Sequence, residues 1–337
     1  MPVADVAPGP MGWWRNDTDA VFKTTLIEKT VIGEMEDLAP ERMTTLAPAD
    51  YDADLAASIK SKLQADDGWG MWCLEEIAFD SDLGALWAQI IGSCVASSHI
   101  MLLGSRSIHE IVLKNDKEET LGDVVKGVDS CMPYGPYSYR VGRDAGGING
   151  NGDGSFCAAQ IKGTMKHGYL PCSTDGLSGR FPEPDSESTY RAWGASNRYV
   201  SPFYAAGEKF DLVESVQVND ADEARRLLVE EYKPLQICSG WGFGPSHFDD
   251  KYGIWIYKRQ GSWAHSMQII GFMLIKGAWF VVVRNQWGRG AHKDPGRGVP
   301  KGCFIIPFEL FARWIKDSVT MSIGELQQRK PELVLPW

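Results

Sequence analysis

The sequence contains no uninterrupted apolar run of about 18 residues, which is the length that a helix needs to cross a bilayer. It therefore predicts no transmembrane helix and no membrane partner. Residues 1–8 also lack the basic start and the apolar core of a secretory signal. We therefore expect no signal peptide and a cytoplasmic location.

Clusters of basic residues are scarce as well. Lys and Arg number 34 against 44 Asp and Glu, which gives a net charge of −10, and basic residues are nowhere concentrated in a long run. A surface that binds nucleic acid needs concentrated positive charge. The composition therefore predicts no nucleic-acid partner.

Metal-binding and redox motifs are also missing. There is no Cys-x-x-Cys, and the seven cysteines are odd in number and widely spaced. Without a secretory signal, this pattern favours reduced thiols over a disulfide framework or a zinc site. Residues 149–160 imitate the spacing of a calcium-binding EF-hand loop, but they lack the final Glu that such a loop needs. We predict neither a metal nor a cofactor.

Hydrophobic residues, by contrast, are plentiful enough for a substantial core. They make up 44% of the 337 residues, and the 13 tryptophans supply large aromatic anchors. Residues 1–79 begin with a stretch rich in Pro, Gly, Thr and acidic residues that includes Trp13, Trp14 and Phe22. We expect an N-terminal arm there. It would pack on its own body, on a second copy in a homo-oligomer, or on an assembly partner.

The hydrophobic periodicity changes along the chain. Helical patterns come first, at residues 50–64, from Cys94 to near Gly104, at 156–166 and at 220–231. Residues 173–206 have a loop-like composition. Short β-prone runs separated by turns come later, at 235–238, 254–257, 266–273, 279–283 and 303–306. Helices followed by antiparallel strands predict an α+β fold with two lobes.

Cys94 follows a Gly-Ser pair and begins the predicted buried helix. A thiol at a helix N-terminus lies near unpaired backbone N–H groups and the positive end of the helix dipole, which favour the nucleophilic thiolate. Gln89, five residues upstream, carries an amide able to donate to a developing oxyanion. Buried cysteines are more often inert, so this segment alone leaves the role of Cys94 open.

A cysteine nucleophile needs a base and a group that orients the base. His265 begins a predicted strand, and a hairpin at residues 276–277 returns the chain to Asn285. The Asn285 carbonyl is then expected to accept a hydrogen bond from the imidazole, with Trp287 covering it. A thiolate–imidazolium pair would lower the pKa of Cys94 and raise that of His265.

These motifs occur in one order: Gly92-Ser93-Cys94, then His265-Ser266-Met267, then Asn285-Gln286-Trp287-Gly288. In this order they resemble the papain-like (C1) cysteine peptidase superfamily. The resemblance is stronger to its bacterial and phage branches than to its lysosomal enzymes. The resemblance covers roughly residues 80–315. It implies a helical lobe at 80–200, an antiparallel, β-barrel-like lobe at 201–316, an active-site cleft between them and a C-terminal tail at 317–337.

The resemblance also implies a role for each matching residue. Cys94 would be the nucleophile, His265 the general base and acid, and Asn285 the residue that orients His265. Gln89 and the Cys94 backbone N–H would form the oxyanion hole. Gly154 would line the S1 substrate-binding subsite, and Trp287 would shield the site. The implied reaction is hydrolysis of peptide or protein substrates through a thioester acyl-enzyme.

The sequence departs from the family pattern near the nucleophile. Gln89 lies one residue closer to Cys94 than the family's glutamine, Val95 replaces a tryptophan, and Gln286 replaces a serine. A second interpretation is therefore a papain-like structural or assembly protein, for instance one incorporated in a phage virion, with vestigial or maturation-only activity. A transglutaminase-like or peptidoglycan-cleaving use of the same triad is a third, because a fold does not fix its reaction.

Overall fold

The computed structural model describes residues 68–72, 75, 89–113, 132–172, 174, 176–177, 186–212, 214–229, 231–324 and 326–328. The predicted helix at 50–64 and the aromatic residues of the N-terminal arm lie outside these ranges. So does the end of the C-terminal tail.

Helices dominate the first half of the described chain. They are α1 (Cys94–Leu113), α2 (Gly135–Ala145), α3 (Cys157–His167) and α4 (Glu187–Ala195). The predicted end of α1 near Gly104 is wrong, since the helix continues for nine more residues. One glycine costs a helix only about 1 kcal/mol, which burial of this helix offsets. Within the described ranges, no helix has the length and apolarity needed to cross a membrane.

One predicted loop, at residues 173–206, is in fact partly helical. Before it, α2 has Pro136 in its first turn, where the missing N–H of proline costs nothing. In the stretch predicted to be a loop, Ser186 caps α4 by accepting a hydrogen bond from the Thr189 N–H, at 3.2 Å. The short helix α5 (Tyr204–Gly207) follows in the same stretch.

Strands dominate the second half, as the sequence predicted. Helix α6 (Ala221–Val229), capped by Asp220, precedes the long strands, and α7 (Phe308–Lys316) follows them. The strands are β1 (Gly68–Gly70), β2 (Phe210–Leu212), β3 (Ser215–Gln217), β4 (Leu235–Asp249), β5 (Ile254–Ile275), β6 (Ala278–Arg284), β7 (Cys303–Pro307), β8 (Val319–Ile323) and β9 (Leu326–Gln328).

The main sheet has the strand order β3-β8-β4-β5-β6-β7, with antiparallel neighbours. Its hairpin between β5 and β6 turns at Lys276 and Gly277, both with positive φ, as the sequence predicted. Strand β1, from the segment assigned to the arm, also pairs with β5. Strand β8, from the segment assigned to the tail, pairs with β4. Mixed helices and antiparallel strands confirm the α+β prediction.

The two halves share a hydrophobic core. One buried cluster combines residues of α1 and α2, such as Ile100 and Val141, with residues of β5 and β6, such as Phe272 and Val282. A second cluster places Cys94 with residues of α3 and β8. The first turn of α1 is therefore embedded between helices and sheet.

The expectation that every cysteine is a reduced thiol is not met. Cys157 of α3 is bonded to Cys238 of β4, with 6.4 Å between their Cα atoms, a separation that suits a disulfide. The expectation rested on the absence of paired spacing in the sequence. Here, however, the fold brings together two cysteines 81 residues apart. The bond joins a helix to the sheet.

A buried ion pair joins the chain before α1 to the sheet. Arg284 donates from Nη1 to Glu75 Oε1 at 2.8 Å and from Nη2 to Glu75 Oε2 at 2.5 Å, and both side chains are buried. Ser105 of α1 also donates to Glu75, at 3.1 Å, and receives a bond from Gln268 of β5, at 3.0 Å. The pair therefore connects α1, β5 and β6.

Removing one partner of this pair should be more damaging than removing both. We expect Glu75→Gln to lower the free energy of unfolding by about 3–5 kcal/mol, because Arg284 keeps its charge in a buried site. The double variant Glu75→Leu/Arg284→Met should lose less than the sum of its single variants. Urea unfolding measures this. Lys301→Met, which breaks an exposed ion pair with Asp294, is the control and should change stability by about 1 kcal/mol or less. Additive losses in the double variant would contradict the assignment.

Candidate active site

Cys94 is the first residue of α1 and is fully buried. Ser93 precedes it, and the Ser93 carbonyl accepts the Ser97 N–H at 2.8 Å, which starts the hydrogen-bond ladder of the helix. A negative charge on Cys94 Sγ would therefore lie at the positive end of a 20-residue helix.

Polar side chains fasten this first turn to the sheet. Gln236 of β4 donates to the Val95 carbonyl at 2.9 Å, and Ser98 Oγ lies 2.5 Å from Ser266 Oγ of β5. Ser266 directly follows His265 in the chain. The turn that carries Cys94 is therefore held against the strand that carries His265.

His265 and Asn285 are brought together by β5 and β6. His265 is buried, and its Nε2 lies 2.8 Å from Asn285 Oδ1. An amide oxygen only accepts hydrogen bonds, so His265 Nε2 carries the proton and Nδ1 has the lone pair. Nδ1 is buried and has no hydrogen-bond partner among the described residues. His265 is thus oriented with a basic nitrogen available.

The Trp287 ring packs against this pair, and its shielding role stays a prediction. Its ring stacks on the His265 imidazole, with 4.7 Å between centroids and 29° between planes. Trp263 packs in turn against Trp287, at 5.9 Å between centroids. Aromatic cover of this kind keeps water from competing for the His265–Asn285 hydrogen bond.

His292 also belongs to the cluster formed by His265 and Asn285, and no role was predicted for it. Its Nε2 lies 2.9 Å from Asn285 Nδ2. Because an amide nitrogen only donates, His292 accepts and is neutral, with its proton on Nδ1. The Asn285 amide is therefore held on both sides. The signal was weak because His292 lies in the loop before β7, outside any recognised motif.

Burial sets the protonation state of both histidines. It lowers the pKa of His265 to about 4, and the hydrogen bond with Asn285 offsets only part of this effect. Burial also lowers the pKa of His292 to about 4, with a smaller contribution from His265. The expected rise in the pKa of His265 is wrong in direction, because the cost of burying its charge outweighs the hydrogen bond. His265 is neutral near pH 7.

Gln89 is held by the loop before α1. Its backbone N–H donates to the Gln286 carbonyl at 2.8 Å, which brings it beside Asn285. Its side-chain Nε2 donates to the Ile91 carbonyl at 3.1 Å. One of the two side-chain N–H bonds expected to serve an oxyanion is therefore engaged within its own loop.

Gly154 lies in a loop tied to the nucleophile segment. It has a φ of +105°, which glycine tolerates and other residues rarely adopt. Its neighbour Asp153 accepts the Gly92 N–H at 3.1 Å and pairs with Arg191 at 2.8 Å. The position of Gly154 beside the residues that precede Cys94 is compatible with its expected place in a subsite wall.

Two buried arginines form hydrogen bonds with this loop, and no sequence motif indicated them. Arg143 donates to the carbonyls of Gly150 and Gly154, at 3.0 and 2.8 Å. Arg140 donates to the Ile148 carbonyl at 3.2 Å and to Asn149 Oδ1 at 2.9 Å. The loop that imitates a calcium site is therefore ordered by guanidinium groups. The described part of the chain contains no cluster of three or more His, Cys, Asp or Glu suited to a metal.

Comparisons with known proteins identify the fold. No protein-family model matches the chain, and no curated protein matches it. Its structure is similar to that of xylellain, a cysteine protease from Xylella fastidiosa, with a TM-score of 0.50 and 14% identity over 81% of this chain and 89% of that one. ProCathepsin B S9 from Trypanosoma congolense aligns with a TM-score of 0.48 and 12% identity over 94% of this chain and 87% of that one. The first likeness shows that the predicted two-lobed, papain-like fold is present.

The contact between His292 and Asn285 predicts a measurable effect on His265. His292→Leu leaves Asn285 Nδ2 without an acceptor, so the amide should lose its fixed orientation and the buried His265 Nε2 proton should exchange faster. His292→Gln keeps an acceptor oxygen and should preserve the slowly exchanging His265 proton in an NMR spectrum. His99→Leu, a second buried histidine, is the control for general destabilisation. An unchanged His265 resonance in His292→Leu would contradict the assignment.

The buried histidines also predict acid-sensitive stability. His99, His265 and His292 each have a pKa lowered to about 4, first through burial, whereas an unfolded histidine titrates near 6.5. Between these values the unfolded chain binds more protons. Unfolding free energy should therefore fall as pH drops from 6.5, by at most about 1.4 kcal/mol per pH unit for each histidine.

Urea unfolding between about pH 6.5 and pH 5 measures this slope, above the range in which most carboxylates titrate. The variant His99→Gln should reduce the slope without abolishing it, because His265 and His292 remain, as does His167, whose pKa burial also lowers. A stability that stays flat across this window would show that the histidines are not buried as neutral rings.

Proposed function

We propose that this protein is a cysteine peptidase in which Cys94 is the nucleophile, His265 the general base and acid, and Asn285 the residue that positions His265. The observation that carries the proposal is the 2.8 Å hydrogen bond from His265 Nε2 to Asn285 Oδ1. It leaves the opposite ring nitrogen as a base in a papain-like fold whose nucleophile helix begins at Cys94. The bacterial and phage branch stays a prediction.

The reaction follows from these groups. Cys94 Sγ attacks the substrate carbonyl carbon while its proton passes to His265 Nδ1, and a tetrahedral oxyanion forms. The C–N bond then breaks, and the departing amine takes the proton from His265. Water, deprotonated by the same nitrogen, hydrolyses the thioester and releases the acid and the Cys94 thiol. Because His265 is neutral at rest, proton transfer accompanies the attack rather than preceding it.

One observation favours a second function. Cys94 is 0% exposed and His265 is 1% exposed, so neither side chain is accessible to solvent in this conformation. This burial is what a papain-like structural or assembly protein would show. In that case its partner would be another protein of a larger assembly, for instance a virus particle, rather than a peptide substrate.

Selective labelling separates the two functions. We expect a peptidyl epoxysuccinate or iodoacetamide to modify Cys94 at least about 100-fold faster than Cys172 and Cys303, which are also buried and serve as internal references. His265→Ala should remove this preference, because the base is lost. Mass spectrometry of labelled peptides gives the rates. Slow, uniform labelling of all three cysteines would reject the peptidase and leave the structural function.

A further inference from the structure

Gln286 has a buried side chain whose hydrogen-bonding capacity is unused. It is 1% exposed, and neither its amide Nε2 nor its Oε1 has a hydrogen-bond partner among the described residues. A buried amide in this state is destabilising, and such groups are rare in folded proteins. Such a group calls for an explanation, and a bound substrate is one source of the missing partners.

The backbone of Gln286 is fixed between two residues of the candidate site. Its N–H donates to Asn285 Oδ1 at 2.8 Å, and its carbonyl accepts from the Gln89 N–H at 2.8 Å. The backbone from which the Gln286 side chain extends is therefore bonded to both Asn285 and Gln89. Asn285 orients His265, and Gln89 is the expected oxyanion donor. Trp287 Nε1, next along the chain, is also buried with no partner among the described residues.

The expected donor is less suited to the task. Gln89 lies one residue closer to Cys94 than the resemblance requires, and its Nε2 donates to the Ile91 carbonyl at 3.1 Å. Using that hydrogen for an oxyanion would mean breaking a bond within the loop. Preorganised donors stabilise an oxyanion because they need no such rearrangement.

We propose that the side-chain amide of Gln286 donates from Nε2 to the substrate carbonyl oxygen as it becomes an oxyanion, together with the Cys94 backbone N–H. This role deepens the proposed peptidase function and rests on it. The negative charge arises when Cys94 Sγ adds to the carbonyl carbon, and it disappears when the C–N bond breaks. Gln286 keeps its own protons throughout. Its Oε1 remains able to accept an N–H of the bound substrate.

A matched set of variants tests the assignment. Gln286→Met and Gln89→Met keep the side-chain length and remove the amide, and Gln217→Met is the control on a glutamine at the sheet edge. Three quantities are measured for each: kcat and KM for a peptide amide, the inhibition constant of a peptide aldehyde, and the rate of Cys94 alkylation by iodoacetamide. An aldehyde adduct places an oxygen in the oxyanion hole, whereas alkylation builds up no such charge.

We expect Gln286→Met to lower kcat by about 100-fold or more, with KM changed by no more than about 3-fold. Aldehyde inhibition should weaken similarly, while alkylation of Cys94 stays within about 3-fold of wild type. The thermal midpoint should hold or rise, because the buried unpartnered amide is gone. Gln89→Met should lose less than about 10-fold in kcat, and Gln217→Met should behave like wild type.

Three outcomes would overturn the proposal. In the first, Gln89→Met shows the large loss and Gln286→Met remains active, which assigns the donor to Gln89. In the second, alkylation falls in parallel with kcat and the thermal midpoint drops, which shows that Gln286 has only a structural role. In the third, wild-type protein neither hydrolyses the peptide nor shows fast labelling of Cys94, which removes the proposed function itself before any variant is compared.

Discussion

The buried pair of Glu75 and Arg284 is the constraint on which the rest of the candidate site depends. Two charges removed from water are tolerated only when their geometry is good and their remaining hydrogen bonds are met. Here the two Glu75 oxygens accept hydrogen bonds from both Arg284 terminal nitrogens, and Ser105 and Gln268 extend the network. Because Arg284 directly precedes Asn285 and Ser105 lies on the helix of Cys94, the network fixes α1 relative to β5 and β6.

A second set of bonds acts nearer to the nucleophile. Gln236 and Ser266 hold the first turn of α1, and the Cys157–Cys238 bond ties α3 to β4 beside them. Polar links at two levels of α1, at Ser98 and at Ser105, restrict both sliding and rotation of this helix. A nucleophile and a base carried on separate elements need this restraint, because a misplacement of about 1 Å can cost about 100-fold in rate.

Motifs and periodicity predicted the strands and the residues carried on them, but not the buried polar pairs. Asn285 was recognisable because it follows the end of β6, and His265 because a β-prone run follows it. The prediction that His265 begins its strand is wrong, since β5 (Ile254–Ile275) continues through it as one long strand. Glu75 and Arg284 are 209 residues apart, and no local pattern joins them. The close packing of α2 on α3 was equally out of reach, because it depends on glycines in both helices. A side chain at Gly142 would meet Gln160, and one at Gly163 would meet the Val141 carbonyl, so these glycines allow two helices to pack closely.

Burial links the geometry of the site to its chemistry. The hydrogen-bonded series from His265 through Asn285 to His292 has one consistent arrangement of protons, in which both rings are neutral. Burial enforces that arrangement by lowering the pKa of each ring to about 4. In the proposed reaction, a neutral base does not hold Cys94 as a thiolate before substrate arrives. Positive charge on the imidazole and negative charge on the carbonyl oxygen would therefore develop together during attack. In a site this dry, an unscreened oxyanion would be costly, so the stabilisation must come from donors already in place. The buried amide of Gln286, which has no hydrogen-bond partner among the described residues, meets that requirement more directly than the amide of Gln89, which donates to the Ile91 carbonyl.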